Sequence, residues 1–145
     1  MESIRVKKLH PQAILPTYGS AEAAGADLYA CLEADVTIAP GETAFIPTGF
    51  AMAVPKGCAG LIYARSGMAC KRDLAPANKV GVIDSDYRGE IMVGLQNSGD
   101  ADYTVQPADR IAQLMITPVV QAQVTMVDEL DDTQRGAGGF GSTGK

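Results

Sequence analysis

The chain has 145 residues, 46% of them apolar, and a formal net charge of −5. This length and apolar content give one globular domain with a buried core and exclude a disordered chain. The acidic balance speaks against nucleic-acid binding, which needs a local basic excess, and no apolar run is long enough to cross a membrane. The opening run, Met1-Glu-Ser-Ile-Arg-Val-Lys-Lys8, is charged and strand-like without signal-peptide features, so a cytoplasmic location is expected.

Short apolar or alternating runs then follow one another. They lie at Ile4–Leu9, Asp27–Leu32, Val36–Ile38, Thr43–Ile46, Phe50–Val54, Gly60–Ala64, Lys79–Ile83, Glu90–Gln96, Tyr103–Val105, Arg110–Ile116 and Gln123–Val127. Turn signals separate them at Ala39-Pro-Gly-Glu42, Val54-Pro-Lys-Gly57, Asn97-Ser-Gly-Asp100 and Gln106-Pro-Ala-Asp109. Many short strands at even spacing predict an all-β sandwich, jelly roll or barrel. One short helix is expected near Arg65–Lys71. The compact domain is expected over residues 1–127. An acidic linker, Asp128-Glu-Leu-Asp-Asp132, then leads into a mobile glycine-rich arm, so that residues 128–145 form a tail.

Three cysteines, Cys31, Cys58 and Cys70, lie far apart and form no C-x-x-C, so each is expected as a small buried residue. The single histidine, His10, lies in the N-terminal segment before Pro11. Histidine-based nucleophilic schemes are therefore disfavoured, and the base of any hydrolase built here should be a carboxylate.

Five segments carry chemistry. Gly25-Ala-Asp27 brings a carboxylate into a strand, where it could neutralise an arginine or hold water on a metal ion. Arg65-Ser66-Gly67 follows a strand and opens the short helix, with a guanidinium, a hydroxyl and backbone donors that suit an anion; a surface turn is the plainer reading. Asn78 to Met92 reads as strand, turn and strand, with Asp84 at the end of the first strand and a turn at Asp86-Tyr-Arg-Gly89. Its arms could enclose a planar base, although an ordinary hairpin has the same pattern. Gln113 interrupts an apolar strand, and the amide needs a partner or a ligand. Arg110, beside it, is expected in a structural ion pair. The last eleven residues, Arg135 to Lys145, hold five glycines, one arginine and a lone aromatic, Phe140. Their donors suit a phosphate chain, and the ring could close over a flat ligand.

In this order, the segments resemble the five motifs of the trimeric deoxyuridine triphosphatase (dUTP pyrophosphatase) family. The matches are Ala24-Gly-Ala-Asp27-Leu-Tyr-Ala30, Arg65-Ser-Gly67, Gly81-Val-Ile-Asp84-Ser-Asp-Tyr-Arg-Gly-Glu90, Arg110-Ile-Ala-Gln113-Leu114 and Arg135-Gly-Ala-Gly-Gly-Phe140-Gly-Ser-Thr-Gly144. They span nearly the whole chain; Ala64 departs from the family's usual proline. The resemblance implies a distorted jelly-roll (β-clip) subunit, a homotrimer with active sites shared between subunits, and hydrolysis of dUTP to dUMP and pyrophosphate with Mg2+ on the triphosphate. It implies Asp84 as the base that activates water. It implies phosphate contacts from Arg65, Ser66, Gly67, Gln113, Arg135, Gly141, Ser142 and Thr143. Base and sugar would meet Asn78, Gly81, Val82, Ile83, Tyr87 and Met92, with Phe140 stacked on the uracil. Asp27 would touch the metal through water. A dCTP deaminase on the same fold, which would need a catalytic glutamate in the third motif region, and a dUTP-binding regulatory protein are the alternative expectations.

Overall fold

The computed structural model describes residues 3–141. The described residues form eleven strands and one helix: β1 (Arg5–Lys8), β2 (Thr17–Tyr18), β3 (Ala26–Tyr29), β4 (Val36–Ile38), β5 (Thr43–Ala53), β6 (Cys58–Tyr63), α1 (Ser66–Arg72), β7 (Leu74–Pro76), β8 (Gly81–Ile83), β9 (Glu90–Asn97), β10 (Tyr103–Val105) and β11 (Arg110–Pro118). One sheet has the order β1-β5-β9-β7, a second β2-β3-β11-β6-β8, and β10 pairs with β4 in a small third sheet. All the pairings are antiparallel. This is the expected jelly-roll, all-β class.

Period-two alternation builds the core. Along β9, Ile91, Val93, Leu95 and Asn97 are buried while Glu90, Met92, Gly94 and Gln96 face outward. Phe50 joins that inner face, and Leu28, Ile62 and Leu114 come from the larger sheet to meet it. Burying side chains of this size contributes roughly 1.5–3 kcal/mol each. The polar member is fully satisfied: the Asn97 amide donates to Ile38 O (2.9 Å) and Ala101 O (2.8 Å), and its Oδ1 accepts from Gly99 N–H (3.0 Å). Asn97 thereby ties β4 to β9.

The structure corrects several local expectations. The runs at Thr43–Ile46 and Phe50–Val54 belong to one strand, β5. The Pro47–Gly49 stretch between them is a bulge, with a register shift between Pro47 and Ala51 and with Gly49 at φ 72°. The two arms of the expected hairpin do not pair. β8 lies against β6 in one sheet, and β9 lies between β5 and β7 in the other, so the Asn78–Met92 segment crosses between sheets. Gln123–Val127 forms no strand: β11 ends at Pro118, and residues 119–137 are exposed throughout. The cysteines are less buried than expected, with Cys31 and Cys58 half-buried and Cys70 exposed on α1. Burial and the carboxylates of Glu90 and Glu33 push the Cys31 thiol above its usual pKa, so it stays protonated at neutral pH.

Candidate active site

The central strands of the larger sheet bring three of the expected residues together. Gln113 of β11 lies level with Asp27 of β3 on one side and Tyr63 of β6 on the other. Two residues past Tyr63, Arg65 turns into α1 with extended backbone angles (φ −84°, ψ 132°), and no side chain caps the helix start. Arg65 Nε donates to Asp27 Oδ1 at 2.9 Å, and Arg110 Nη1 donates to Asp27 Oδ2 at 3.4 Å. The expected ion pair of Arg110 is thus with Asp27, whose carboxylate holds Arg65 from one side. Ser66 and Gly67 are exposed in the first turn. Gln113 Nε2 donates to Ala64 O at 2.8 Å, which leaves its second N–H for another acceptor. That contact uses a main-chain carbonyl, which alanine supplies as proline would.

Gly25 makes room for this amide. A Cβ at Gly25 would lie 2.5 Å from Gln113 Oε1. Gly25→Ala is therefore expected to turn the Gln113 side chain away and break its bond to Ala64, lowering stability by about 1 kcal/mol in denaturant titration.

A second group lines a cleft of about 400 Å³ between the splayed arms: Val82, Ile83, Asp84, Tyr87, Glu90 and Met92. Val82, Tyr87 and Met92 present large exposed apolar surfaces, and Asp84 is exposed at the rim. Asp84 also borders a cavity of about 490 Å³ on its other side, with Lys56, Cys58 and Ala59. Tyr87 Oη donates to Glu90 O at 3.0 Å. Arg88 Nη1 donates to Ser85 O (2.8 Å) and Tyr87 O (2.7 Å), which fastens the turn. Asn78 is exposed in the turn before β8 with its amide near Gly81; neither residue lines the cleft. Sequence reasoning missed Glu90, whose side chain accepts from Gly49 N–H at 2.9 Å; the partners lie 41 positions apart, and no local pattern links them.

The two groups are not adjacent within one chain. Ile83 pairs with Gly60, so Asp84 stands level with Ala59. Arg65 lies six residues further along the chain, two past the other end of β6, a span of at most about 20 Å at ~3.3 Å per residue.

Among the described residues, the arm makes no hydrogen bond to either group. Arg135 Nε donates to Gly138 O (2.8 Å) within its own turn, and Phe140 is fully exposed with φ 51°. Gly141 is the last residue described, and Ser142 and Thr143 lie outside the described residues. Among the described residues, no group of three His, Cys, Asp or Glu side chains could hold a metal ion, and no helix is long and apolar enough to cross a membrane.

A family model described as dUTPase matches residues 11–144. The chain is 49% identical over 142 residues to the deoxyuridine 5'-triphosphate nucleotidohydrolase of Syntrophotalea carbinolica, covering 98% of this chain and 97% of that one. It is 54% identical over 130 residues to the protein of that name from Desulfotalea psychrophila, covering 90% and 87%. Its fold superposes on a variant of the Staphylococcus bacteriophage 80alpha dUTPase with dUpNHpp, at a TM-score of 0.92 and 26% identity over the full length of both chains. A phage phi11 dUTPase variant, reported to coordinate a structural Mg(II) ion, matches with a TM-score of 0.80 and 25% identity over 88% of this chain and 98% of that one. Five motifs in order, the fold that carries them and these similarities agree: the chain belongs to the dUTPase family.

Proposed function

We propose that this protein hydrolyses dUTP to dUMP and pyrophosphate as a cytoplasmic homotrimer, removing dUTP before uracil enters DNA. The observation that carries the reading is the cleft in which a carboxylate, Asp84, stands at the mouth of an apolar slot formed by Val82, Ile83, Tyr87 and Met92. Water held by Asp84 attacks the α-phosphorus in line. The bond from that phosphorus to the α–β bridging oxygen breaks, pyrophosphate leaves, and the water proton passes to the Asp84 carboxylate. The uracil lies in the slot. Its edge reaches past the cleft lining to main-chain groups of β8 and the Asn78 amide beside Gly81, and a cytosine edge leaves them mismatched, which costs more than a lost contact. Tyr87 packs under the deoxyribose, where a 2′-hydroxyl has no room.

Arg65, Ser66, Gly67 and Gln113 bind the triphosphate of a nucleotide whose base lies in another subunit's cleft. The placement of Asp84 and Arg65 at opposite ends of β6 supports this sharing. So do Val120, Val124, Met126 and Leu130, apolar residues left uncovered along the arm. The arm then closes over a neighbour's nucleotide, with Phe140 on the base and Arg135, Gly141, Ser142 and Thr143 at the γ-phosphate.

The donor set fits a magnesium ion in one way. Both Asp27 oxygens are engaged by arginines, so the ion would be held chiefly by triphosphate oxygens and water, with Asp27 reaching it through water. When bound it supplies charge neutralisation at the phosphates.

The test is purified protein with each common nucleoside triphosphate in magnesium buffer, assayed for pyrophosphate in ¹⁸O-water. Release from dUTP alone, with label in dUMP, is expected. Ammonia from dCTP, or label in pyrophosphate, would overturn the reading.

A further inference from the structure

We propose that Glu90 is a positioning residue for sugar selection: its carboxylate anchors the start of β9 to the β5 bulge and thereby sets where the Tyr87 ring lies. This rests on the reading of Tyr87 as the surface under the deoxyribose. Where β5 bulges, Pro47 pairs with Met92 and Ala51 with Glu90, so three β5 residues face the single residue Ile91. Gly49 stands in the middle of them, buried, at φ 72°, and a Cβ there would lie 2.6 Å from Cys31 Sγ. Gly49 has no paired residue on β9 across the bulge, so its N–H needs another acceptor, and a buried unpaired N–H is costly. Glu90 Oε1 accepts it at 2.9 Å. The Gly49 carbonyl in turn accepts from Leu9 N–H (2.8 Å) and His10 N–H (3.1 Å), so the anchor point is itself held by the segment after β1.

The same residue controls Tyr87 from its main chain. The only hydrogen bond of the Tyr87 hydroxyl among the described residues goes to the Glu90 carbonyl, at 3.0 Å. The ring lies so close over Gly89 that a methyl group there would overlap it. Gly89 therefore gives the ring its bed, and Glu90 fixes the bed. Truncating the carboxylate frees the first residue of β9 from the bulge, and the ring loses its fixed position without losing any group that touches the phosphates.

The experiment compares the wild-type protein, Glu90→Ala, Glu90→Gln and Tyr87→Ala in steady-state kinetics with dUTP and UTP, and follows the Tyr87 ring signal by NMR of tyrosine-labelled protein. For Glu90→Ala the expected result is a higher KM for dUTP and a roughly tenfold loss of preference for dUTP over UTP in kcat/KM, with kcat within about threefold of wild type. The Tyr87 signal should shift or broaden. Glu90→Gln keeps the acceptor oxygen and should restore both. An unmoved ring signal and unchanged preference in Glu90→Ala would overturn the proposal, as would a fall in kcat with KM and preference intact. If Glu90→Ala does not fold, Glu90→Asp keeps the charge but withdraws the oxygen by one methylene, and the same two outcomes decide. Unchanged preference in Tyr87→Ala would refute the sugar role of Tyr87 itself; the ring signal alone then decides whether Glu90 positions it.

Discussion

Asp84→Asn is expected to bind dUTP as tightly as the wild-type protein, or more tightly, and to turn it over roughly 10²–10⁴-fold more slowly. The amide has the shape of the carboxylate but cannot take a proton from water. Asp84 is exposed at the end of β8, makes no ion pair among the described residues that the change would break, and lies outside the core cluster. The fold should therefore be unmoved, and the loss should be in kcat. Affinity should hold or rise because a negative charge beside a triphosphate is removed. Calorimetric binding of a non-hydrolysable dUTP analogue together with pyrophosphate release checks both halves. Turnover within threefold of wild type would remove Asp84 from the role of base. It would also favour a protein that binds dUTP for a regulatory purpose.

Deleting residues 135–145 is expected to leave thermal stability nearly unchanged, to preserve nucleotide binding, and to slow turnover by at least roughly 10²-fold, the scale of losing preorganised phosphate donors. Among the described residues of this segment none belongs to the core, Phe140 is fully exposed, and Arg135 bonds to Gly138 within its own turn. Closure must open that local turn and order about ten residues, at ~1 kcal/mol or more each. Stacking of one aromatic on a base returns only about 1–3 kcal/mol. The γ-phosphate contacts and the exclusion of water must supply the remainder, so closure should depend on the triphosphate and fail with the monophosphate. Limited proteolysis should cut the arm in free protein and with dUMP, and spare it with a non-hydrolysable dUTP analogue. A truncated protein with full activity would sink the lid.

How much of this was legible in the chain depends on how local each signal is. β4 and β10 fall where alternation and turn residues put them, because a short strand between strong turn signals is a local matter. α1 begins one residue later than expected and ends one residue later. β7 escaped because Leu74-Ala-Pro76 contains a proline, which reads against a strand; β7 is an edge strand of its sheet, where proline is tolerated. β2 is two exposed residues with no pattern to read. Gln123–Val127 alternates like a strand yet pairs with no strand among the described residues.

The amino-acid sequence by itself determined the fold class and, through five motifs in order, the family, since these follow from residue type, order and short-range periodicity. Only the tertiary structure decided that β8 and β9 open a cleft between two sheets instead of pairing, that Asp27 serves two arginines, and that Asp84 and Arg65 stand at opposite ends of β6. Alternation reports which face a side chain takes, but not which strand lies beside it. Register is set by contacts between residues tens of positions apart, such as Gly49 with Glu90 and Ala64 with Gln113, and those contacts form only when the sheets close on a common core.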